Sequence, residues 1–190
     1  MHRVLSVVVM LCFCAVAKAA PMVDLSIDGN TWNQPFVLEN LSTEGELITS
    51  VSIDLSALDL VFDVQGWPAK IEFLDDGIGS YKAYQKSSGE VLDGSNDVLE
   101  LSFDDYVSES FSWIVDVDFV DPALEFVSVY GNDLLNGIVT VSFDSGETLI
   151  DTFKLVDGND DAVSLSVPAP APLALLAVTL IAGGVLRRKS

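Results

Sequence analysis

The chain has 190 residues and a formal charge of −20, from 29 acidic and nine basic residues. Between residues 21 and 166 all 29 acids face only Lys70, Lys82, Lys86 and Lys154, a local charge of −25, which excludes a nucleic-acid partner because phosphate backbones demand a basic footprint. The single histidine is His2 and the only cysteines are Cys12 and Cys14, so the middle offers no disulfide, no thiolate or imidazole zinc site and no Ser-His-Asp relay.

The first twenty residues read as a targeting segment. A basic start, His2-Arg3, precedes an apolar run from Val4 to Val16 broken only by Ser6. Ala17-Lys18-Ala19 then places small side chains at the −3 and −1 positions of a cleavage site after Ala19 or Ala20, the layout of a secretory signal peptide. The apolar run is too short for a stable membrane span. Residues 1–20 are therefore set apart from the fold, and the export machinery is the first partner implied. Residues 21–166 have the length of one domain that can bury a core without disulfides.

From residue 23 onward the dominant period is two. Alternation predicts strands near 23–28, 35–40, 46–55, 59–64, 70–74, 81–85, 97–104, 110–119, 124–130, 137–143 and 147–155, the weakest of which is a loop, leaving about ten. Val51, Ile53 and Leu55 share a face, as do Leu99, Leu101 and Phe103, and Val139, Val141 and Phe143. In the clearest strand, Phe111, Trp113, Val115, Val117 and Phe119 alternate with Ser110, Ser112, Asp116 and Asp118, and Ile114 breaks the pattern. Each strand thus has one buried and one wet face, with Trp113 in the core. Asp28-Gly29-Asn30, Asp75-Asp76-Gly77, Asp93-Gly94, Gly131-Asn132-Asp133, Asp144-Ser145-Gly146 and Asp157-Gly158-Asn159 supply turns between them, and 144–147 is the strongest hairpin signal. No segment has a helical period beyond one turn at Ser56-Ala57-Leu58. The expected fold class is all-β: an antiparallel β-sandwich, jelly-roll-like or immunoglobulin-like, flanked by the signal peptide and a short C-terminal hydrophobic helix.

Three groups of residues carry candidate chemistry. Asp93, Ser95 and Asp97, and Asp157, Asn159 and Asp161, set oxygen atoms at alternate positions around a glycine, and are candidate calcium ligands because calcium takes six to eight hard oxygens. The same residue types are the commonest turn formers. Paired carboxylates such as Asp116 with Asp118, Asp75-Asp76 and Asp104-Asp105 have the composition for glycoside hydrolysis, but 29 acids make such pairs common by chance. No catalytic residue is assigned and a non-enzyme is expected. Trp32 and Trp67, in turn-flanked segments, are candidate ligand residues that would stack on sugar rings, set against ordinary loop packing. Lys82–Lys86 is the one basic patch of the middle, a solvated strand face or a contact for the acidic surface of a second copy.

The chain closes with Val167-Pro168-Ala169-Pro170-Ala171-Pro172, an uncharged stretch from Leu173 to Leu186, and Arg187-Arg188-Lys189-Ser190. The prolines favour extended chain. The apolar stretch, counted from Ala169, reaches the lower length limit for a span, and the basic end would remain on the cytoplasmic side. This three-part tail resembles the PEP-CTERM sorting signal of Gram-negative bacteria, here with Val167-Pro168-Ala169-Pro170, Leu173-Ala174-Leu175-Leu176, Gly183-Gly184 and Arg187-Arg188. The family's usual glutamate between the prolines is Ala169. The resemblance covers residues 167–190. It implies an inner-membrane precursor, an exosortase-type processing enzyme as partner, and delivery to the cell surface or extracellular matrix.

The expectation is therefore an exported structural or adhesive protein of the cell surface or exopolysaccharide matrix, in biofilm-associated material. The alternative is a non-catalytic carbohydrate-binding module, supported by calcium and holding polysaccharide. A glycoside hydrolase ranks below both.

Overall fold

The structure, a computed structural model, describes residues 21–65, 71–92, 94–124 and 126–167. Residues 21–168 form one compact unit. Twelve strands are formed among the described residues: β1 (Val23–Asp28), β2 (Phe36–Asn40), β3 (Ile48–Asp54), β4 (Leu60–Asp63), β5 (Ile71–Phe73), β6 (Ile78–Tyr84), β7 (Val98–Val107), β8 (Ser110–Phe119), β9 (Ile138–Phe143), β10 (Thr148–Thr152), β11 (Lys154–Val156) and β12 (Asn159–Val167). Pro122–Leu124 and Gly131–Leu134 are single 3-10 turns. Among the described residues no helix is long and apolar enough to cross a membrane. The stretch 173–186 and the residues expected to form a signal peptide, Ala17 and Ala19 among them, lie outside the described residues.

The strands make two antiparallel sheets. One has the order β11-β12-β1-β2-β8-β4, with β5 also on β8, and the other the order β10-β9-β3-β7-β6. Period-two alternation turns one face of each sheet into an apolar surface, and the two surfaces share one core. Val23, Leu25, Phe36, Leu38, Phe111, Trp113, Val115 and Val117 come from the first sheet, and Ile48, Val51, Ile53, Leu99, Leu101, Val139 and Val141 from the second. This arrangement fits a β-sandwich. At its centre Phe36 and Trp113, register partners on β2 and β8, stack with ring centroids 5.5 Å apart and planes 8° from parallel. Such a pair is worth about 0.5–1.5 kcal/mol beyond the area it buries.

The hairpin expected at residues 144–147 is present. Phe143 leads into it, Thr148 leaves it opposite Ser142, and Gly146 holds a positive φ of 82° that other residues adopt only with strain.

Four expectations need correction. Residues 124 and 126–130 form no strand: Pro122 starts a 3-10 turn, and the described residues of this stretch make one isolated bridge, Asn30↔Tyr130. The strand expected over 147–155 is two strands in different sheets, divided at the fully buried Phe153, where the chain passes from one layer to the other. Asn159–Val167, read as an acidic loop and then a domain end, is the nine-residue strand β12. The polar face expected of β8 is also closed over part of its length, for Ile114 and Asp116 are both buried.

Candidate functional site

The closed part of β8 leads to the site. β4 runs antiparallel to the distal half of β8, with Asp63 opposite Asp116 and Val61 opposite Asp118. Ile71 then takes Val115, the next position along β8, so β4 and β5 line up on β8 with residues 64–70 inserted between them. Phe62 and Val117 point into the core. Pleating therefore sends Asp63, Asp116 and Asp118 to the opposite, outer face. There their carboxylate oxygens lie within 4.8 Å of one another. Asp116 is only 8% exposed, and Asp63 and Asp118 are half-buried. Like charges directly opposite on paired strands repel, and a cation bound among these oxygens would offset that repulsion.

Two loops wall this face. Asn30–Gln34, between β1 and β2, turns back on itself, with the Asn33 and Gln34 N–H groups donating to the Asn30 carbonyl. It carries Trp32, 41% exposed. Residues 126–129 lie alongside, held by the Thr31 N–H and Oγ1 donating to the Val129 carbonyl at 3.0 and 3.2 Å. They present Phe126, 94% exposed. Trp32, Phe126 and the three carboxylates line one cavity of about 380 Å³. A second depression of about 310 Å³ shares Asp63 and Asp118 with the first, and a third of about 230 Å³ shares Val61, Gly94 and Val120 with the second. Linked by these shared residues, the three depressions, together termed the groove, run from the outer face of β4 and β8 to the β3–β4 and β6–β7 connections.

Three carboxylates supply up to six oxygens if each binds through both, which leaves calcium's remaining positions to water or to hydroxyls of a ligand. Asp63, Asp116 and Asp118 are the residues that could hold a divalent cation, and the flanking rings offer flat apolar faces for stacking.

The residues singled out in the sequence are distributed around this groove. Trp32 lines the first depression, and Ser95 and Asp97 line the third. The Asp97 carboxylate accepts the Lys86 N–H at 2.6 Å, which ties the β6–β7 connection to the start of β7. Asp157-Gly158 is the tight turn of the β11–β12 hairpin, with Gly158 at a φ of 81°. The Asn159 side chain donates to Asp28 and accepts the Asp161 N–H. Both loops therefore serve as turns, whatever else they bind. Asp93, Trp67, Pro168, Ala169, Pro170, Arg187 and Arg188 lie outside the described residues, and Val167 is the last residue of β12.

Of the paired carboxylates, Asp116 and Asp118 do share a face. Asp63 and Phe126 carried no signal, because only the β4–β8 register and the path of the 120–130 loop bring them to the same place. The basic segment spans the end of β6 and the turn that follows it, and is engaged within the chain. Lys86 Nζ meets Asp54 at 2.6 Å, and Lys82 Nζ sits 4.4 Å over the Tyr84 ring. Burial opposes ionisation of Asp54, but hydrogen bonds from Lys86 and Ser56 outweigh it and hold its pKa below the usual value. The Tyr84 hydroxyl, pushed up to about 12 by burial and then by Glu100, donates to that carboxylate at 2.8 Å.

No family model, no curated protein and no solved structure matches this chain.

Proposed function

We propose that the chain is an exported cell-surface or extracellular-matrix protein of adhesive type, whose β domain holds polysaccharide without cleaving it. The observation that carries this reading is the groove: three depressions in series, with Trp32 and Phe126 flanking three convergent carboxylates. A series of open depressions suits an extended polymer better than a compact metabolite, and exposed rings stack on sugar faces. The carboxylates suit a calcium ion that would share its open positions with sugar hydroxyls. In this reading the N-terminal leader exports the chain, and the 167–190 tail is processed by an exosortase-type enzyme on the way to the surface. The first and last strands lie side by side in one sheet, whereas an immunoglobulin sandwich divides them between its two sheets. That favours the jelly-roll-like form of the fold.

The test is retention on immobilised cellulose, chitin and alginate, with and without calcium. Retention on at least one polymer, lost by at least tenfold in Trp32→Ala or Phe126→Ser at unchanged melting temperature, is the expected result. Absence of retention on every polymer, or retention indifferent to both substitutions, overturns the reading. Release of reducing ends would instead support the hydrolase, since carboxylates about 5 Å apart have the spacing of retaining glycosidases.

A further inference from the structure

The first and last strands of the folded unit are neighbours. β1 and β12 pair antiparallel without interruption from Val23↔Val167 to Asp28↔Ala162. Both ends of the unit therefore leave the same end of the sheet. The groove lies at the other end. β2 carries the register across to β8, with Glu39 opposite Ser110 and Phe36 opposite Trp113. Asp116 and Asp118 lie further along β8 in the direction away from Val23 and Val167. At about 3.3 Å per residue, Asp116 stands roughly 20 Å beyond the level of Ser110.

The groove is also bonded directly to the distal end of the β1–β12 pair. The Thr31 N–H donates to the Val129 carbonyl, the Gly131 N–H to the Gly29 carbonyl at 2.9 Å, and the Gly29 N–H to the Asp161 carbonyl at 3.1 Å. Gly131 fits there because it lacks a side chain: a Cβ would stand 2.7 Å from the Asp161 carbonyl oxygen and 2.8 Å from that of Ile27.

We infer that the β1–β12 pair is a shear clamp, which resists tension between the C-terminal end of the domain and the groove much better than tension between the domain's two ends. Hydrogen bonds of an antiparallel ladder lie across the strands. Tension entering at Val167 and leaving through the groove acts along β12, so the six register pairs with β1 must slip together. β11, on the other side of β12, adds three more. Tension that draws residues 23 and 167 apart acts across the same ladder and opens it one pair at a time, starting at Val23↔Val167. The use of the device rests on the proposed function, which makes the tail the tether and the groove the grip. The mechanical asymmetry belongs to the strands alone.

Single-molecule pulling on the full chain tests it, with Cys12 and Cys14 replaced by serine and detergent present for the terminal apolar segments. One handle pair joins Ser128→Cys, in the groove loop, to the C-terminus, and the other joins the N-terminus to the C-terminus. At equal loading rate the first geometry is expected to rupture at a force at least twofold higher. Equal forces, or a weaker first geometry, overturn the inference. A disulfide between Ser26→Cys and Ser164→Cys, Cα partners in the ladder, is expected to raise the rupture force of the end-to-end geometry. No rise in the oxidised protein would show that β1 and β12 do not separate first, and would overturn it equally. No ligand is present in these measurements. Loss of the clamp therefore leaves polysaccharide retention standing, and loss of retention leaves the clamp standing.

Discussion

Replacing Asp63 with asparagine keeps the shape of the side chain and removes one of three converging charges. Two unit charges no more than 4.8 Å apart repel by about 3 kcal/mol or more at an effective dielectric of about 20. Solvent at the half-buried Asp63 and Asp118 screens part of this. Asp63→Asn removes that repulsion together with the other interactions of the carboxylate, so the decisive comparison is the response to calcium. A cation that binds only the native state adds RT ln(1 + [L]/Kd), about 2.7 kcal/mol at a hundredfold excess. The variant, with one ligand fewer, should gain less than half as much as the wild type. The assay is thermal unfolding in EDTA and across a calcium titration, with sodium chloride at matched ionic strength as the control for screening. A variant that gains as much from calcium as the wild type refutes the reasoning.

Gly131→Ala should cost about 1–3 kcal/mol, because its methyl group would meet two backbone carbonyls that cannot move aside; an unchanged urea midpoint would show that the 130–131 bridge is slack. Asp24 lies opposite Glu39 on β2, and burial first, then the Glu39 charge, raises its pKa above 3.8. The folded form thus holds its proton more tightly than the unfolded chain, and stability is lost as pH rises through the folded value. Asp24→Asn should therefore be more stable than the wild type at pH 7, by about 0.2–1 kcal/mol, and no more stable below pH 3.8; an equal gain at both pH values would assign the effect to packing.

Strand identity was largely legible because burial of alternate side chains is a local consequence of the pleat. Leu99, Leu101 and Phe103, and Val139, Val141 and Phe143, are inward as their spacing predicts, and Trp113 is at the centre. The misreadings have one cause. Asn159-Asp160-Asp161 has turn composition, yet it begins a strand because β11 pairs with it at Asn159 and β1 takes up the ladder from Ala162 onward. Residues 124–130 have strand composition, yet Pro122 and the bridge at Tyr130 carry them over the sheet end as a loop. Neighbours, not composition, settled both.

The same division holds for the site. Asp116 and Asp118 could be assigned to one face from their spacing of two, and Trp32 could be marked as an aromatic in a turn. That Asp63 stands across from Asp116, and that Phe126 closes the other wall, depends on pairings between residues more than fifty positions apart in one case and on the loop path in the other. Composition, charge and alternation, read from the sequence alone, determined an acidic all-β chain with apolar inner faces, because solvent exclusion acts on each side chain where it stands. Only the tertiary structure decided which acids meet, and that both ends of the folded unit lie opposite the groove. Both follow from which strands are neighbours and in which register, and the free energy that selects a register is shared by the whole sheet rather than carried by any one segment.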